Sequence, residues 1–202
     1  MRVKSEERRQ AILEIAKDLF TTHGFDQTSM SAIAKQLGGS KATLYNYFSS
    51  KEEIFSAVME DATKKQITHA FCSLSAEREL KGQLIDFGIN YLNSILSTDL
   101  ASIYKMAITA SEHSNIGRFF YENGPKTGFQ AVANFFQAHI DAGTFIKCDT
   151  TLAAMQLKAL LQAELWEPYK LGYIDRPDTE AIQNAVIRAI ESFLKIYPEK
   201  NG

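Results

Sequence analysis

Lysine, threonine, tyrosine and asparagine stand together in one short run, Ser40-Lys41-Ala42-Thr43-Leu44-Tyr45-Asn46-Tyr47-Phe48. It follows a second run, Ile33-Ala34-Lys35-Gln36-Leu37, and a glycine pair, Gly38-Gly39. The spacing predicts two short helices separated by a tight turn. Leu44 and Phe48, four apart, give the second helix a face that packs on protein. Its other face offers an ammonium, hydroxyls and a carboxamide. That is what a helix needs to lie in a DNA major groove, whose base edges present donors and acceptors.

Catalysis has no comparable support. The sequence has no GxSxG, P-loop, HExxH or strand-borne GxGxxG. His23, His69, His113 and His139 sit without a suitable nucleophile or metal-ligand spacing. No enzyme, cofactor or metal site is expected. Cys72 and Cys148 lie far apart with no CxxC pattern, as reduced thiols do. The chain carries a net charge of −2, unevenly spread. Residues 1–51 hold 8 Lys/Arg against 5 Asp/Glu, and the remainder is acidic. A basic head on an acidic body places any polyanion at the head, because phosphate attraction acts over about 8–10 Å.

The elements that must position this face are helical throughout. Ala11, Ile12, Ile15, Ala16, Leu19 and Phe20 form one stripe of a first helix, which Ser5 can cap and His23-Gly24 ends. Thr28 or Ser29 caps the second, with Met30, Ile33, Ala34 and Leu37 inside. Ser40 caps the third. Ser49 or Ser50 caps a fourth, which starts at Lys51 and runs through Ile54, Val58 and Ala62 to about residue 74. Further helices are expected at about 78–97, 100–112, 116–142 with a break at Gly124-Pro125, 150–171 and 178–196. The expected fold class is all-α: a three-helix helix-turn-helix domain over 1–51 and a helical bundle over 52–202. The last two helices are so apolar that they must cover a core, meet a partner, or both. An isologous homodimer contact through Leu157, Leu161, Leu165, Ile182, Val186, Ala189, Ile190 and Phe193 is expected. No run of about 18 apolar residues exists, and the charged start lacks an apolar signal segment. A cytoplasmic protein without a membrane partner is expected.

Residues 8–55 resemble the DNA-binding domain of the TetR/AcrR family of bacterial one-component regulators. The resemblance rests on the first-helix run ending His23-Gly24-Phe25, then Thr28, Ile33-Ala34, Gly38, the run 40–48, and Lys51-Glu52. The stretch Glu112-His113-Ser114-Asn115-Ile116-Gly117-Arg118-Phe119-Phe120-Tyr121 is similar to AefR-like members. One position departs from the family: Gly39 stands where a branched apolar residue is usual. The resemblance implies a repressor that binds a palindromic double-stranded operator and is released by a small, hydrophobic effector. It assigns Thr28, Ser29, Ser40, Tyr45, Tyr47 and Lys51 to the DNA backbone. Lys41, Ala42, Thr43 and Asn46 go to base edges, and Ser31 on the preceding helix reaches toward a base. An effector pocket in the body would draw on Phe87, Tyr91, Tyr104, His113, Phe120, Phe136, Gln156, Leu160 and Glu164. Glu164 has three readings: a cation receptor, a dimer pair, or a solvated side chain. The alternative to a DNA reader is a helical small-molecule-binding or protein-interaction protein whose head no longer reads DNA specifically.

Overall fold

The computed structural model describes residues 5–72, 74, 79–112 and 114–199, with the side chains of 63–72 outside that description. The described residues form eleven α-helices and no strand. The chain divides into two compact units, residues 1–62 with 102–122, and residues 63–101 with 123–202.

The first unit contains α1 (Glu6–His23), α2 (Met30–Gln36), α3 (Lys41–Tyr45), the start of α4 (Lys51–Cys72), most of α6 (Thr98–Ala110) and α7 (Ile116–Asn123). Its caps are those that the sequence signals. Ser5, Ser29 and Ser40 each accept a hydrogen bond from the amide three residues on. Ser50 does the same for Glu53, at 3.1 Å, which settles the cap of α4. Between α2 and α3 the chain makes a Schellman turn. Gly38 takes φ 67°, its amide donates to Lys35 O, and the Gly39 amide donates to Ala34 O, both at 3.2 Å. Ile12, Ala16, Phe20, Ile33, Leu44, Ile54 and Phe55 are buried beneath these helices. Phe20, Phe25 and Phe55 meet ring to ring at 5.3 to 5.8 Å.

The second unit is built on α5 (Leu80–Ile95), α8 (Pro125–Asp141), α9 (Thr150–Gln162), α10 (Trp166–Lys170) and α11 (Thr179–Ile196). α8 begins with Pro125 at its first position, where the missing N–H has no partner to lose. The helix expected over 150–171 is instead two, parted at 163–165. Pro168 is the reason: its ring crowds the carbonyl four residues back and forces a fresh start, in whose first turn it is tolerated. Phe136, Phe145 and Phe193 stack at 5.1 to 6.4 Å in the core, and Tyr197 closes on Phe193 at 4.9 Å.

Candidate functional site

The recognition surface follows from the burial of one side of α3. Leu44 is fully buried and Phe48 nearly so, which turns Lys41, Ala42, Tyr45 and Asn46 outward. The Lys41 ammonium and the Asn46 carboxamide have no hydrogen-bond or ion-pair partner among the described residues. Tyr45 is 51% exposed, so its ring is not core. Thr43 is half-buried, with its amide donating to Ser40 Oγ at 3.1 Å and the two hydroxyls 3.0 Å apart. Ser31 is exposed on α2, and Ser29 Oγ caps α2 through the Ala32 amide at 3.1 Å. The Tyr47 hydroxyl accepts from the Ser5 amide at 3.2 Å, which ties the start of α1 to the end of the recognition segment.

Two residues assigned to the DNA backbone are engaged elsewhere. Thr28 is buried, and its hydroxyl donates to Gly24 O at 2.8 Å and to Leu19 O at 3.2 Å. It pins the turn after α1. Lys51 Nζ donates to Phe25 O at 2.7 Å and lies 4.2 Å from the centre of the Phe25 ring. Its charge is held against the same turn. In this arrangement both side chains brace the turn after α1, an engagement that the sequence did not signal.

Of the nine residues expected around an effector, six lie in the second unit and two in the first. Phe87 and Tyr91 stack at 5.8 Å on α5, with Phe129 edge-on to both. The Tyr91 hydroxyl accepts from Gln162 Nε2 at 2.7 Å. Lys158, half-buried, places its ammonium 5.7 Å from the Phe129 ring centre, and burial holds its pKa below the ordinary lysine value. Phe136 belongs to the stacked core, and Gln156 accepts from the Tyr197 hydroxyl. Leu160 is half-buried on α9. Glu164 faces solvent and takes a two-point pair from Arg188, with Nε to Oε1 at 2.9 Å, which lowers the pKa of its carboxyl. Within the protomer its partner is Arg188. Tyr104 and Phe120 meet edge-on at 5.1 Å in the first unit, where burial raises the Tyr104 phenol. His113 lies outside the described residues. A cleft of about 490 Å³ opens in the first unit between residues 24–27 and the Ser102, Lys105 and Met106 face of α6; none of the eight described residues lines it.

Seven of the eight expected dimer residues lie inside the protomer. Leu157, Leu161, Ile182, Val186, Ala189, Ile190 and Phe193 are buried within one protomer, where α9 and α11 pack on each other and on α5. A side chain already out of water has no area to give a partner. Leu165 is only half-buried. The large outward apolar side chains of these two helices are instead Leu152 (48% exposed), Met155 (54%), Ile187 (39%) and, at the end of α11, Ile196 (57%). The sequence hid them because α9 is apolar on more than one face.

Comparison with known proteins agrees with this architecture. Residues 12–58 match the bacterial regulatory proteins of the tetR family, and residues 82–199 match the C-terminal domain of AefR-like transcriptional repressors. An HTH-type transcriptional regulator of Staphylococcus aureus (strain MRSA252) is 28% identical over 159 residues, 78% of this chain and 83% of its own length. The flavonoid-responsive regulator FrrA superposes with a TM-score of 0.82 at 29% identity, over 96% of this chain and 98% of its own. A TetR-family regulator from Mesorhizobium loti MAFF303099 gives 0.80 at 25% identity, over 97% and 99%.

Proposed function

Because this chain belongs to the TetR family of bacterial transcriptional regulators, DNA-binding proteins with a helix-turn-helix head, we propose that it is a homodimeric repressor released from a palindromic operator by a small, hydrophobic effector. Residues 1–51 read the DNA, and residues 52–202 bind effector and dimerise. The observation that carries the reading is the outward side of α3, where Lys41 and Asn46 stand unpaired opposite buried Leu44. Lys41 suits guanine O6 and N7, Asn46 suits adenine N6 and N7, and the Thr43 or Ala42 methyl suits thymine. Ser29, Ser31, Ser40, Tyr45 and Tyr47 flank them toward the backbone. No described helix is long and apolar enough to cross a membrane, and the protein acts where the bacterial chromosome is, in the cytoplasm.

Two heads on one two-fold axis read two half-sites in successive major grooves. The outward face of Leu152, Met155 and Ile187 supplies a self-complementary contact for that axis. The aromatic group Phe87, Tyr91 and Phe129 suits a planar hydrophobic effector. FrrA is flavonoid-responsive by name, which makes flavonoids the first compounds to try. α4 runs unbroken from the head's core residue Ile54 to Cys72, giving effector and DNA a continuous helix through which to bias one another. The coupling needed is a difference in effector affinity between two head spacings, commonly about 1–3 kcal/mol.

Selection of binding sites from a random duplex pool tests the reading. The expected product is a two-fold symmetric site held at least about 10³-fold more tightly than bulk DNA at physiological salt. A Lys41→Ala/Asn46→Ala variant is expected to lose that preference while keeping weak, salt-sensitive binding. If protein stripped of ligand by unfolding and refolding enriches no site, the head does not read sequence. The helical binding protein described above would then be the better reading.

A further inference from the structure

Gly39 leaves room beside the Arg8 guanidinium. Gly38 needs glycine for its positive φ, but Gly39 does not, since its φ lies outside the left-handed region. What Gly39 provides is room. A Cβ at position 39 would stand 3.1 Å from Arg8 Nη2, 3.8 Å from Leu37 Cδ2 and 3.9 Å from Thr43 Cβ. The Arg8 guanidinium therefore lies over the turn between α2 and α3, around the same point as Thr43. The main chain that carries it is held at the first turn of α1: the Arg8 amide donates to Ser5 Oγ at 3.2 Å, and the Ser5 amide donates to the Tyr47 hydroxyl at 3.2 Å. Yet the guanidinium has no hydrogen-bond or ion-pair partner among the described residues. Arg9, one residue on, pairs with Glu6 at 3.6 Å and lies 5.6 Å from the Phe48 ring centre. Arg8 is thus a cation with unspent donors, set on the turn that precedes the recognition helix.

We propose that Arg8 is a further DNA-contacting residue, bonding a backbone phosphate beside the bases that α3 faces, and that the missing side chain at position 39 is what seats it. The guanidinium fork matches two phosphate oxygens, and a fixed cation there adds one charge to the protein's footprint on the duplex. The glycine departure at 39 exchanges a packing contact for that charge. The inference rests on the reading that the head binds DNA.

The test compares the full-length protein with Arg8→Ala, Gly39→Val and the double variant. Each is titrated across a salt series against the selected operator and against bulk duplex. Arg8→Ala is expected to weaken both complexes about tenfold and to flatten the slope of log affinity against log salt by about 1. Gly39→Val is expected to match that loss. The double variant is expected to be no weaker than either single one, because a displaced and a deleted guanidinium are equivalent. Thermal melts show that each variant is folded; Gly39→Leu serves if valine is not tolerated. The proposal is overturned if Arg8→Ala binds like the parent. It is also overturned if Arg8→Ala loses site preference with no change in salt slope, which would make Arg8 a base reader. Equal losses from Gly39→Val with and without Arg8 would sink the seating argument. If Lys41→Ala weakens operator binding and Arg8→Ala does not, this inference alone fails; if the parent has no affinity for DNA, the wider reading falls with it.

Discussion

Gly88 on α5 faces Val186 on α11 so closely that a Cβ at position 88 would lie 2.7 Å from Val186 Cγ1 and 2.9 Å from Leu161 Cδ2. Both neighbours are fully packed, and valine is stiff about χ1, so neither can yield cheaply. Gly88→Ala is expected to destabilise the protein by about 1–3 kcal/mol in urea unfolding. Adding Val186→Ala should restore part of the loss although it deletes buried methyls. Simple addition of the two losses would show that the helices can part at no strain.

Thr28 allows the brace reading to be separated from the DNA-contact reading. Thr28→Val keeps the shape and removes the hydroxyl that donates to Gly24 and Leu19 carbonyls. A stability loss of about 1–2 kcal/mol is expected, with operator affinity of the folded protein unchanged. An affinity loss with unchanged stability would return Thr28 to the DNA interface.

His139 gives the second unit a pH response with a defined sign. Its ring is buried, 4.6 Å from the Phe135 ring centre, with Nδ1 2.8 Å from Thr144 Oγ1. The Thr144 hydroxyl also lies 3.1 Å from His139 O, and Nε2 is left without a partner among the described residues. Burial lowers the pKa from the ordinary 6.5, while Glu199 pulls weakly the other way. The unfolded chain therefore binds this proton more readily than the folded one. Stability from this group is complete above about pH 6.5 and declines as pH falls from there to the lowered folded value. Urea unfolding at pH 8 and pH 5.5 should show the decline, and His139→Gln should flatten it. An equal decline in the variant would assign it to other groups.

The outward and inward faces of α9 and α11 are expected to respond differently to substitution. Met155→Lys with Ile187→Lys should halve the mass in sedimentation, because it charges an exposed apolar face. Leu161→Ala should instead lower stability by about 2–5 kcal/mol, because it empties a core site. A dimer that survives the lysine pair would place the two-fold axis elsewhere.

The head was legible because several independent signals agree there. Ser29 and Ser40 cap, Gly38 turns, and Ile33 and Leu44 face inward, each within a few residues of the others. The body was less legible. In α9, Leu152 and Met155 look like Leu157 and Leu161 to any reading of periodicity; only packing against α8 and α11 decides which pair is outside. The break before α10 carried its own sign in Pro168 and could have been read. Thr28 and Lys51 are harder cases. Their residue types fit either a phosphate or a carbonyl, and the partner that wins is set by how α1 ends and α4 begins.

The aromatic knot of Phe20, Phe25 and Phe55 draws one ring from α1, one from the turn and one from α4. The reading module is therefore keyed into the first helix of the segment that follows it. Such a head is not a portable cassette. Exchange of heads between regulators by recombination would succeed only at crossovers beyond Val58, where the knot travels whole, and a cut after Lys51 would leave the third ring behind in the other parent.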